Sequence, residues 1–125
     1  MAVTKTTTIT KIGTLVIDFD ADASSENDVT GNSSGTFYLI DIDNTANAST
    51  SAYVRVRDAS SATPSDSTAG VPTWLFVAPP AAKASYALPD GQAYSAGLSM
   101  WCTTSNAKQN TTPPAATVIV RLIAS

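Results

Sequence analysis

Histidine is absent from this 125-residue chain, glutamate occurs once, at Glu26, and cysteine once, at Cys102. Each absence removes a class of chemistry. Without histidine there is no imidazole base, no imidazole metal ligand and no serine–histidine triad. A lone cysteine excludes an intrachain disulfide and a cysteine-based zinc site. Charged residues are 14% of the chain, well below the roughly 25% of an ordinary soluble domain. The seven cations are scattered and the formal net charge is −3, so no nucleic-acid partner is expected, because a phosphate-binding surface needs clustered cations. No apolar run approaches the roughly 18 residues of a membrane span. The first ten residues hold Lys5 and then threonines in place of an apolar stretch, so no signal peptide is expected.

Small residues fill the space that charges leave. The chain has 18 threonines, 15 serines and 20 alanines, which together make 53 of 125 positions. Good helix formers other than alanine are scarce, and threonine, valine and isoleucine favour strands. Apolar residues come in short alternating runs separated by Gly, Pro, Asn, Asp and Ser, the pattern of strands and turns. Thr14 to Asp20 places Leu15, Ile17 and Phe19 on one face, with Asp18 and Asp20 pointing outward on the other. Ala21 to Gly35 reads as a long loop. Thr36 to Asp43 sets Tyr38, Ile40 and Ile42 against Phe37, Leu39, Asp41 and Asp43. Ala52 to Asp58, Thr73 to Ala78, Ala82 to Leu88, Ala96 to Thr103 and Ala116 to Ile123 complete the set. Pro89-Asp90-Gly91 predicts a tight turn ending the fifth of these. The expected fold is all-β, an antiparallel sandwich of jelly-roll-like form over residues 13–125. Residues 1–12 are expected to be an extended N-terminal arm or a first strand.

Candidate chemistry is thin. Asp18, Asp20 and Asp22 resemble the start of a calcium loop, but Ala23 stands where the sharp turn wants glycine and Val29 where a bidentate glutamate belongs. A solvated strand end is the expected reading. Asp41 and Asp43 share a strand face and are expected to deter edge pairing or to meet Arg55 and Arg57. Cys102 alternates in phase with Leu98 and Met100, which marks an inert core thiol. No catalytic residue, metal or cofactor is expected, and three Asn-x-Ser/Thr patterns at Asn32, Asn47 and Asn110 are expected by chance in so Ser/Thr-rich a chain. Trp74 and Trp101 are the aromatic candidates for stacking on a sugar ring.

Val71 to Pro80 is apolar on both faces, and so, apart from Arg121, is Val118 to Ile123. A half-buried strand is polar outside, so two-sided apolar strands call for a second layer. A short chain without helices has little to supply one. A neighbouring subunit is therefore expected against Trp74, Phe76, Ile119 and Ile123.

The succession Tyr53-Val54-Arg55-Val56-Arg57-Asp58-Ala59, a Ser/Thr/Pro loop, Val71-Pro72-Thr73-Trp74-Leu75, Val77-Ala78-Pro79-Pro80, Ser85 to Gly91 and Gly97 to Thr104 resembles small β-rich virion proteins of tailed bacteriophages. The likeness covers roughly the last 75 residues and is one of motif order. It implies no catalytic residue. It implies a capsid decoration (cement) protein on the virion surface, associated as a homo-oligomer, a trimer by preference, with the major capsid protein or other virion proteins as partners. A neck, tail or fibre component, or a glycan-binding host-adhesion module using Trp74 or Trp101, is the alternative.

Overall fold

The computed structural model describes residues 13–125; the expected arm at residues 1–12 lies outside the described residues. Among these there is no helix. Seven strands follow in order: β1 (Thr14–Asp18), β2 (Gly35–Asp43), β3 (Ala52–Arg57), β4 (Trp74–Ala78), β5 (Lys83–Tyr94), β6 (Ser99–Thr103) and β7 (Ile119–Ala124). They form two antiparallel sheets, one ordered β1-β7-β2-β5 and the other β4-β3-β6. The all-β, sandwich-like architecture expected from the alternating runs is what folds.

Alternation explains the packing. Val118, Val120 and Leu122 of the β7 region, Ile40 and Ile42 of β2, Ala52, Val54 and Val56 of β3, and Met100 and Cys102 of β6 join one buried cluster drawn from both sheets. Each valine, leucine, isoleucine or methionine among them contributes about 1.5–3 kcal/mol on leaving water, offset mainly by the conformational entropy of ordering the chain.

The phase of β2 differs from expectation. Phe37, not Tyr38, joins Ile40 and Ile42 inside, at 0% exposure. A register shift between Phe37 and Leu39 is the cause, because one extra residue in a strand turns the side chains before it to the opposite face. Pro89-Asp90-Gly91, expected to be a turn, is the other half of this irregularity. Ala87 pairs with Leu39 and Gln92 with Phe37, so the intervening β5 residues bulge beside Tyr38 and the strand continues to Tyr94. A proline is tolerated there because β5 is the sheet's edge. Gly91 has φ +74°, and a Cβ there would sit 2.2 Å from Thr36 Cγ2.

The phase of β1 is also reversed. Val16 pairs with Leu122 and so takes the inward phase, leaving Leu15 and Ile17 outward. Alternation locates a strand's two faces but cannot say which is inside when both carry apolar residues.

The stretch 22–29 is more ordered than a loop. Cys102 N–H donates to Asp22 O at 2.7 Å, Glu26 and Met100 exchange backbone bonds of 2.8 and 2.9 Å, and Val29 N–H donates to Leu98 O at 2.9 Å. It therefore runs along the free side of β6.

Candidate functional site

The two sheets treat their outer faces differently, and that difference defines the candidate site. On the three-stranded sheet the chain supplies its own cover. Arg55, on the outer face of β3, is 1% exposed. Its Nε donates to Thr103 Oγ1 at 3.0 Å, Nη1 to Lys108 O at 3.1 Å, and Nη2 to Ser105 O at 2.7 Å and Ala107 O at 2.6 Å. The guanidinium thus draws the loop after β6 down over the sheet, and burial pulls its pKa below the usual arginine value. Arg57 likewise holds the loop after β3, donating to Thr68 O at 2.9 Å and Val71 O at 2.6 Å. The two loops meet where Gln109 Nε2 donates to Ser65 O at 3.2 Å. Loops of the chain itself thus cover β3 and β6 of this sheet, because buried arginines can organise loop carbonyls into a cover. Leu75 and Val77 at the β4 edge remain exposed.

The four-stranded sheet has no such cover among the described residues. Its outer face is built in cross-strand rows. Leu15, Ile123, Leu39 and Ala87 are successive partners across all four strands, forming an apolar row. The next row is Ile17, Arg121, Asp41 and Ser85, with Arg121 Nη1 3.5 Å from Asp41 Oδ2 and Ser85 Oγ donating to Asp41 Oδ1 at 2.6 Å. Ile119, Asp43 and Lys83 make the third, with Lys83 Nζ 3.6 Å from Asp43 Oδ2. Asp43 has its pKa lowered chiefly by the Thr45 hydroxyl, which donates at 2.6 Å, and by the Thr45 amide. The charges on this face pair with each other and leave it locally neutral. Leu15 is 53%, Ile17 36% and Phe19 66% exposed beside them.

The expected pairing of Asp41 and Asp43 with Arg55 and Arg57 does not form, because the arginines belong to the other sheet. Trp74 and Phe76 turn inward onto the core, Trp74 meeting Phe37 edge-on with ring centroids 5.1 Å apart. Ile119 and Ile123 are half-buried on the outer face described above. Trp101 lies across from Arg55 at 2% exposure, so neither ring face is open to a sugar, and its Nε1 is a buried donor without a partner. Cys102 is fully buried, and burial, with Asp18 nearby, pushes its thiol up to about 12. Asn47 is also buried, its amide bonded to Asn44 and Ala116, so that sequon serves packing. Asp18 and Asp22 accept the amides of Asp20 and Ser24, and no group of three or more metal-ligating side chains converges among the described residues.

An open groove of about 350 Å³ separates β1 from the 22–29 stretch. Val16, Val29 and Met100 supply its apolar lining, and Asp18, Glu26 and Phe19 also border it. Sequence reasoning missed both this groove and the exposure of Leu15, Ile17 and Phe19. The available signal was Phe19 itself, an aromatic followed by a polar stretch with no apolar strand neighbour to cover it. No family model matches the chain, and neither curated proteins nor solved structures give a match.

Proposed function

We propose that this protein is a non-enzymatic virion structural protein of a tailed bacteriophage, and specifically a homo-oligomeric decoration (cement) protein on the capsid surface. One observation carries the reading: the locally neutral outer face of the four-stranded sheet, with Leu15, Ile17 and Phe19 exposed beside Ile119 and Ile123. An exposed apolar strip of this kind, bordered by charges that pair with each other, marks a surface that meets another macromolecule. Ion pairs closed within the face leave no unpaired charge to desolvate on docking.

Strand order supports the same reading. With 22–29 counted as an outer rung beside β6, the second sheet reads 22–29, β6, β3, β4 against β1, β7, β2, β5. The chain passes between sheets in the manner of a jelly roll with one degenerate strand, an architecture common in capsid proteins. A cement protein binds assembled lattice and not free subunits, so it stabilises the particle by mass action, and oligomerisation adds avidity.

Labelled protein added to particles stripped of it tests the proposal. Saturable rebinding at hundreds of copies per particle is expected, with loss on Phe19→Asp; no rebinding overturns it. A dozen copies or fewer would place the protein in the neck, tail or fibre instead.

A further inference from the structure

We infer that a chloride-sized anion binds beneath the loops covering the three-stranded sheet, accepting hydrogen bonds from Trp101 Nε1 and Arg57 Nε. The site lies on the other sheet from the proposed docking face, and the inference does not rest on the virion reading.

Two unpaired donors lie on one face. Arg55 pairs with Trp101 and Arg57 with Ser99 across β3 and β6, so these four side chains share the sheet's outer face. Arg57 and Trp101 are diagonal neighbours, a separation of about 7–8 Å that long and aromatic side chains bridge. Trp101 is 2% exposed, and Trp101 Nε1 and Arg57 Nε are buried donors without a partner among the described residues. A buried donor left unpaired destabilises the fold and calls for an acceptor. A single acceptor about 3 Å from each donor spans a gap of up to about 6 Å.

Charge selects the acceptor. Arg55, Arg57 and Lys108 place three of the chain's seven cations on this sheet and its cover. The ion pairs among the described residues, Lys83–Asp43 and Arg121–Asp41, both lie on the other sheet. The carboxylates nearest Arg57 along the chain are engaged by amides: Asp58 accepts from Ser95 and Ala96, and exposed Asp66 from Thr68 and Ala69. Arg55 directs its donors to the Thr103 hydroxyl and three carbonyls, all neutral. A guanidinium buried among neutral acceptors lacks the opposite charge that burial demands. Water meets both donors but brings two hydrogens of its own, and the carbonyls of Ser105, Ala107, Thr68 and Val71 already accept from the arginines. An anion adds no donor and supplies the missing charge.

Size follows from the cover. Both donor atoms are closed off from solvent, and the loops over this sheet meet at the hydrogen bond from Gln109 to Ser65. A carboxylate on a partner chain would have to carry its backbone through that junction, whereas a monatomic halide needs far less room. Arg57 anchors the loop after β3, and Trp101 lies across from Arg55, which anchors the loop after β6. An anion shared by Arg57 and Trp101 therefore ties the two halves of the cover together.

Thermal unfolding of the full chain at constant ionic strength tests the inference, with chloride exchanged for gluconate, which is too large for the site. At ten times its dissociation constant, an anion bound only by the folded chain raises Tm by about 5 °C for a domain of this size. A saturable rise of that order is expected for the parent in chloride and in bromide. None is expected for Trp101→Phe, which keeps an aromatic ring and removes the donor. Crystals of the parent grown in bromide should show anomalous scattering within hydrogen-bond reach of Trp101 Nε1 and Arg57 Nε. That measurement needs no variant, so it decides the matter even where Trp101→Phe fails to fold. No chloride-dependent rise, equal rises in parent and variant, or a water in place of bromide each overturns the inference. Bromide at the site without the Tm response marks an adventitious ion only and overturns it too.

Discussion

Replacing Arg55 by methionine should uncover the three-stranded sheet. Methionine keeps an unbranched stem of similar reach and removes every donor. The guanidinium makes four hydrogen bonds of 2.6–3.1 Å, three of them to carbonyls of Ser105, Ala107 and Lys108. Bonds from a charged donor are each worth about 1.5–3 kcal/mol net. Two effects offset the loss: freed carbonyls regain water as the loop lifts, and the burial cost of an arginine charge without a carboxylate partner disappears. The balance is a destabilisation of about 2–3 kcal/mol. With an unfolding entropy of about 2.1 cal/mol/K per residue, a 125-residue chain loses roughly 8–12 °C in Tm. Calorimetry reads that shift, and amide exchange should accelerate over 105–110 while β2 and β7 keep their protection. Arg55→Lys sharpens the test. It retains the buried charge but not the planar fork, so it should rescue little or nothing. A Tm within about 3 °C of the parent for Arg55→Met, or full rescue by lysine, would refute the account of how this sheet is covered.

Phe19→Ala should leave Tm within about 2 °C, because two thirds of the residue is already in water, while weakening rebinding to particles by about 5–30-fold per contact, from about 1–2 kcal/mol of burial forgone. Equal binding by parent and variant would remove Phe19 from the docking face. Cys102 predicts an alkaline instability: its folded pKa of about 12 lies above the ordinary 9.0, so its stabilisation is complete below pH 9 and is lost progressively between pH 9 and 12. Denaturant titrations of parent and Cys102→Ala should therefore converge over that range, and the parent thiol should resist labelling until unfolded. Gly91→Ala should cost roughly 1–3 kcal/mol, since its φ of +74° is strained for alanine and the new methyl meets Thr36 and Tyr38; an unchanged denaturation midpoint would contradict the bulge.

Strand positions were legible where alternation is local. Thr36 to Asp43, Ala52 to Asp58 and Thr73 to Ala78 match β2, β3 and β4 to within a residue at each end. Cys102 in the core followed from the same period. Facing was not legible. The shift at Phe37 depends on β5 bulging beside it, a pairing between segments some 50 residues apart, and nothing local to Tyr38 announces it. Pro89-Asp90-Gly91 has turn composition in isolation, and only the open side of an edge strand lets β5 carry it as a bulge. Likewise Arg55 alternates like any exposed strand residue, and its burial follows from where the loop after β6 folds back. The outward face of β1 failed for a related reason, since its inward partner Leu122 lies more than 100 residues away.

The unequal cover of the two sheets bears directly on what this chain does. The chain spends two long loops and two arginines covering β3 and β6 of one sheet, while Leu75 and Val77 on the two-sided apolar β4 stay exposed. That device works where the outer face carries long cations able to gather carbonyls. On the four-stranded sheet the corresponding cations, Arg121 and Lys83, are engaged by Asp41 and Asp43 within the face itself. They cannot also recruit a loop. Two aspartates thus keep that face locally neutral, as the proposed docking role requires. Exchanging Asp41 and Asp43 for asparagine should free Arg121 and Lys83, add local positive charge and weaken docking on an apolar partner by desolvation. The fold should change little, because exposed ion pairs contribute at most about 1 kcal/mol each. Unaltered rebinding by the double variant would show that the face docks through something other than its neutrality.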